Sequence, residues 1–214
     1  MESDKIIESI LNDFNSFNID DIPNIDLYMD QVTTYLNNKF EGSKRNDDDK
    51  LLTKTMINNY AKSRLLPPPE KKKYSKDHLI LLTMIFYLKN IISINDIDTA
   101  LSPLIKDYFN DGNNSLEEIF KLFIQYMKDT DDNQSIIDAY VKSNEYFSNL
   151  DNENNKEYLQ TLTLIATLTY ECLARKMIIE KLIDSLPKEE NSKDKSDKNK
   201  TDKNKSDKNK TDKQ

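Results

Sequence analysis

Residues 51–97 read LLTKTMINNYAKSRLLPPPEKKKYSKDHLILLTMIFYLKNIISINDI. Start and stop signals divide this stretch. Thr53 has the character of an N-cap, because its hydroxyl can accept an N–H that the first turn of a helix leaves free. Leu52 before it and Ile57 within the helix have the spacing of a hydrophobic staple. Met56, Ile57 and Tyr60 form the buried face of a helix over 54–64, and Asn58, Asn59, Lys62 and Ser63 its outer face. Pro67–Pro69 forbids continuation, since proline lacks the N–H and restricts the residue before it. Residues 67–75, PPPEKKKYS, are a short basic connection. Ser75 is placed to cap another helix, which buries Leu79, Leu82, Ile85, Phe86 and Leu88 and has Ile92 at its margin. Ser93 caps a short helix holding Ile97 and Leu101, which Pro103 ends.

Upstream, Ile6, Ile7, Ile10, Leu11, Phe14 and Phe17 follow Ser3 at helical spacing, giving an amphipathic helix over 4–17. Pro23 opens a second helix with apolar positions at Ile25, Met29, Val32, Leu36 and Phe40, and Gly42 stands at its stop. Downstream, Ser115 and Glu118 match a capping box. The helix they start buries Leu116, Ile119, Phe120, Phe123, Ile124 and Met127. Another runs over about 133–148. Residues 154–186 read as one helix about 50 Å long at ~1.5 Å per residue. Its apolar residues cover more than one face, so it must be central in its domain or covered by a second subunit. The tail, 187–214, repeats S/T-D-K-N-K, has no apolar residue, and should stay disordered.

Only two glycines and six prolines occur, too few for the turns of a β-rich fold, so the expected class is all-α. One cysteine, Cys172, excludes an intrachain disulfide and reads as a buried, inert thiol. The N-terminus is not of signal-peptide type, and Leu162–Ala174 is too short and too polar to span a bilayer, which takes ~20 apolar residues. A cytoplasmic protein is expected. The formal net charge of −7 hides a segregation. Residues 50–76 hold eight cations (Lys50, Lys54, Lys62, Arg64, Lys71, Lys72, Lys73, Lys76) against one anion, Glu70, whereas 107–186 hold fifteen acidic residues against seven basic ones.

No Walker loop, dinucleotide fingerprint, nucleophile elbow or Cys/His metal cluster occurs. Asp107–Glu118 and Asp129–Tyr140 resemble calcium loops but place Phe109, Gln134 and Tyr140 where ligands or glycine belong. His78, the only histidine, reads as a surface or half-buried structural residue. No catalytic residue, metal site or cofactor is expected, and the chain does not read as an enzyme.

The pieces Thr53, Tyr60, Leu65-Leu66-Pro67, Lys71–Tyr74-Ser75 and Ile94–Ile97 resemble the helix–wing–helix segment of MerR-type regulators. With IPNIDLYMDQVTTYL at 22–36, the chain is more similar still to a bacterial domain-of-unknown-function family, number 1836, whose members are taken to be DNA-binding regulators. The connection here is shorter and free of glycine, and Asn58 stands where MerR proteins tend to carry arginine. The resemblance covers roughly residues 22–105 and implies a MerR-like winged helix-turn-helix there; with the N-terminal helix this gives an expected DNA-binding domain over 1–105, packed with an acidic helical dimerisation or effector domain expected over 106–186. It implies double-stranded DNA as partner, contacted by Lys54, Asn58, Asn59, Lys62 and Arg64 of the helix and by Lys71, Lys72, Lys73 and Tyr74 of the wing. Lysine and arginine suit phosphates, and asparagine can pair with adenine. A homodimer through 154–186 would then read an inverted repeat. The alternative is a non-enzymatic interaction module that keeps a helix-turn-helix core, working through the apolar 154–186 helix.

Overall fold

Thr53 does cap a helix: its Oγ1 accepts the Met56 N–H at 3.2 Å. That helix is the second of seven α-helices among the described residues of the computed structural model, which are 7, 10, 19–111, 115–129, 133–146 and 153–186. The order is β1 (Leu27–Tyr28), α1 (Met29–Lys39), α2 (Lys54–Lys62), β2 (Lys73–Tyr74), α3 (Lys76–Leu88), α4 (Ile94–Tyr108), α5 (Leu116–Asp129), α6 (Asn133–Tyr146) and α7 (Glu153–Asp184). The fold is mostly helical, with one two-stranded antiparallel sheet in which Leu27 faces Tyr74 and Tyr28 faces Lys73. The chain divides into Met1–Asp184 and Ser185–Gln214. Of the second unit only Ser185 and Leu186 are described, and the expected disordered tail lies outside the described residues. The expected helix over 4–17 also lies outside them, except for Ile7 and Ile10, both helical.

α3 is the centre of the first unit. Its residues from His78 through Thr83, with Ile85 and Phe86, are all buried. Each fully buried Leu or Ile there stabilises the fold by roughly 1.5–3 kcal/mol relative to an exposed one. The hydroxyl of Thr83 donates to the Leu79 carbonyl at 2.9 Å, so this buried alcohol is satisfied within the helix. Around α3 pack Val32, Leu36 and Phe40 from α1 and its end, Ile57 and Tyr60 from α2, Ile97 and Leu101 from α4, and Leu116 and Phe120 from α5. Phe40 and Phe86 stack with centroids 3.9 Å apart.

Asn37 fixes the start of α2 against α1. Its side-chain amide donates to the Leu52 carbonyl at 2.7 Å and accepts the Leu52 N–H at 3.2 Å. Lys89, at the end of α3, donates to the Leu51 carbonyl at 2.6 Å. The loop entering α2 is therefore held from both sides, just before its cap.

Several expectations need correction. Pro23 does not open a helix: α1 begins at Met29, Ile25 is 68% exposed, and residues 27–28 are a strand. The backbone of this segment pairs with β2 instead of joining a helical ladder. Gly42 lies in a 3-10 turn, Glu41–Ser43, after α1 has ended. Pro103 does not stop α4, which runs through it to Tyr108. A mid-helix proline costs ~3 kcal/mol, and here Leu104, Ile105 and Tyr108 beyond it pack on the core. The boundary expected after residue 105 consequently falls inside α4. In α5, Leu116, Phe120 and Ile124 are buried, but Phe123 and Met127 face outward, 44% and 42% exposed. Cys172 is exposed, because the side of α7 that bears it is uncovered.

Candidate nucleic-acid interface

α2 divides its residues between two faces. Ile57 and Tyr60 point into the core, while Lys54, Thr55, Asn58, Asn59, Lys62 and the adjoining Ser63 are exposed. The helix ends because Arg64 turns to a left-handed φ of 66°. Its N–H reaches the Ala61 carbonyl at 3.2 Å, and the Leu66 N–H returns to the Tyr60 carbonyl at 3.1 Å. The chain then buries Leu65 and Leu66 completely, which anchors the basic connection at its base.

That connection is a tight hairpin. The Lys73 N–H donates to the Glu70 carbonyl at 2.8 Å, and Lys71 and Lys72 between them have φ of 48° and 66°. Both central residues at positive φ are what a type I′ turn requires. Past the tip, Lys73 and Tyr74 pair with Tyr28 and Leu27. Strand alternation then sends the two side chains to opposite faces. Lys73 lies over the Tyr28 ring, 5.4 Å from its centroid, whereas Tyr74 is buried, with its ring edge-on to His78 at 5.4 Å. Tyr74, expected at the DNA surface, is a core residue.

His78, expected at or near the surface, is 3% exposed. Its Nδ1 accepts the Ser75 N–H at 3.0 Å and lies 2.9 Å from the Ser75 hydroxyl, so it joins the capping of α3. Its ring also meets Phe109 edge-on at 4.8 Å. The proton therefore sits on Nε2, a buried atom that has the Pro68 and Pro67 carbonyls as its polar neighbours. Burial lowers the imidazole pKa, against the neighbouring Pro68 and Pro67 carbonyls and the Asp77 and Asp26 carboxylates, which pull it back up. The residue is structural, seated under the hairpin.

Lys54 of α2 forms an ion pair with Asp30, the second residue of α1. Lys73 of the hairpin reaches Tyr28, immediately before α1. One cation of α2, Lys54, and one of the hairpin, Lys73, thus reach the same short segment, Tyr28–Asp30. Among the described residues no acidic side chain pairs with Lys62, Arg64, Lys71 or Lys72. Sequence reasoning did not find Tyr28 and Asp30. A two-residue strand has no period to read, and the partner of Tyr28, Lys73, is 45 positions away (73 minus 28).

Among the described residues, no group of three or more acidic, His or Cys side chains is arranged to hold a metal ion, and no helix is long and apolar enough to cross a membrane. No curated protein and no solved structure is significantly similar to the chain. The family described as "Domain of unknown function (DUF1836)" matches residues 17–123. This span covers both strands of the sheet, α1 to α4 and half of α5, and is half of the 214-residue chain, which therefore belongs to the DUF1836 family.

Proposed function

We propose that the protein is a DNA-binding transcriptional regulator with a MerR-like winged helix-turn-helix, in which α2 enters a major groove and the basic hairpin of residues 67–75 acts as the wing. The observation that carries this reading is the convergence of Lys54 and Lys73 on Tyr28–Asp30, which joins the polar face of α2 and the hairpin through one short segment. Asn58, Asn59 and Lys62 stand in solvent on that face, with donors and acceptors suited to base edges. The surrounding sequence, 50–76, is the basic part of an acidic chain.

A two-fold dimer would present two such helices to an inverted repeat. We assign a second copy of the chain to α7, whose segment Leu159–Tyr170 carries no charged residue although Leu162, Ile165 and Tyr170 are exposed. The same apolar exposure favours the second reading, an interaction module for another protein that does not touch DNA. A salt titration separates the two. For a DNA binder the logarithm of affinity falls linearly with the logarithm of salt, by about 0.9 for each phosphate neutralised. Replacing Lys71, Lys72 and Lys73 with Glu is expected to abolish binding to duplex DNA. Unchanged affinity rejects this surface, and a wild-type chain that ignores duplex DNA at low salt leaves the interaction module.

A further inference from the structure

Four non-glycine residues among the described ones hold a positive φ: Arg64, Lys71, Lys72 and Asn110. Left-handed backbone is free for glycine, tolerated by asparagine or aspartate, and unfavourable for other residues because Cβ approaches the carbonyl oxygen. Asn110, at the end of α4, is the residue type expected where only the backbone matters. The other three are long cations. Two of them fill both central positions of a two-residue hairpin, where Asn-Gly is the favoured pair.

The geometry offers no internal reason for those side chains. Arg64, Lys71 and Lys72 are exposed, and none pairs with an acidic group among the described residues. Deleting them would therefore remove no buried side chain and, among the described residues, no ion pair. Replacing them with Asn or Gly would relieve backbone strain. A residue that the surrounding turn holds against its own conformational preference, and whose side chain the fold does not use, points to a use outside the fold.

We propose that Arg64, Lys71 and Lys72 are kept in left-handed positions because their charges clamp the phosphodiester backbone of double-stranded DNA beyond the end of α2, so that this edge exchanges stability for affinity. The inference rests on the DNA-binding reading and adds a division of labour to it. The three strained cations hold phosphates without regard to sequence, and Asn58, Asn59 and Lys62 on the unstrained face of α2 read bases.

The test uses the full chain, two variants and a short mixed-sequence duplex. The variant Lys71→Asn/Lys72→Gly is expected to melt about 2–4 °C higher than wild type, since each relieved position gives a modest gain and a chain of this size shifts a few degrees for it. Its affinity at about 0.1 M salt should fall roughly 50-fold, and its log–log salt slope should flatten by about 1.8, because two phosphates are no longer neutralised. The weakening should be equal on unrelated sequences. Asn110→Gly relieves a left-handed position, at the end of α4, without removing a cation, and should leave DNA affinity unaltered. A hairpin variant that is more stable yet binds DNA as wild type does overturns the inference and spares the DNA reading. A hairpin variant that is less stable than wild type overturns the claim of strain. If wild type itself binds no duplex at low salt, the DNA reading fails and this inference fails with it.

Discussion

α3 and α7 are both helices with apolar residues on more than one side, and they meet opposite fates. α3 is short, and β2, α1, α2, α4 and α5 enclose it. α7 has 32 residues, about 48 Å of helix, against neighbours of 14 and 15 residues. It packs on α6 and on α4. Two of its buried residues, Leu164 and Ile183, lie about 100° apart around the axis, so the covered side shifts along its length. Tyr158, Leu162, Ile165, Tyr170, Leu173, Met177, Ile178 and Leu182 are left exposed. Composition does not decide burial; the length of the neighbours does. An exposed apolar face of this extent exceeds what scattered surface residues require, and it is the feature a dimer would cover.

The sharpest way to break this comparison is a matched pair of truncations. Leu81→Ala in α3 leaves a cavity in an enclosed site and should cost about 2–5 kcal/mol in chemical unfolding. If Leu162→Ala in α7 costs the same in the monomer, the contrast is false.

Acid should act on α3 through its first turn. The His78 pKa is lowered by burial, so the unfolded chain takes up the proton first as pH falls. Stability is then level above the ordinary histidine value of about 6.5 and declines as pH drops below it toward the lowered folded value. Protonated Nδ1 can no longer accept the Ser75 N–H. Denaturant midpoints measured across this range should fall for wild type and stay flatter for His78→Asn. The chain has one histidine, so identical profiles would assign the effect to carboxylates.

The smallest effect belongs to α7. Leu162→Ser should change monomer stability by less than about 0.5 kcal/mol, as surface substitutions do. In sedimentation at high concentration, self-association should weaken. A monomer at every concentration, for wild type as well, removes the dimer from the proposal.

The start of α2 is legible in the sequence because its signals are local: Thr53, the Leu52 and Ile57 spacing, and the proline stop. The exposure of Lys54, Asn58, Asn59 and Lys62 follows from the same periodicity. Pro103 misleads because packing beyond it offsets the missing hydrogen bond, and that packing comes from other helices. Ile25 misleads because a spacing of four continues the pattern of α1 upstream of its first turn. The hairpin carries no turn signal, since Lys-Lys stands where Asn or Gly would announce it. Without the strand, nothing in the sequence tells Tyr74 from Lys73. His78 reads as a surface residue because its burial depends on Tyr74 and Phe109, 4 and 31 positions away (78 minus 74, 109 minus 78).

The ion pair between Asp30 and Lys54 has a consequence for any measurement of salt dependence. Asp30 serves Lys54 as an internal counterion, fixed to the chain. On the proposed reading, the ions set free are cations condensed on the DNA, about 0.9 for each phosphate neutralised, and a lysine that stays with Asp30 neutralises none. The salt slope of wild type would therefore count one phosphate fewer than that of Asp30→Asn, a difference of about 0.9.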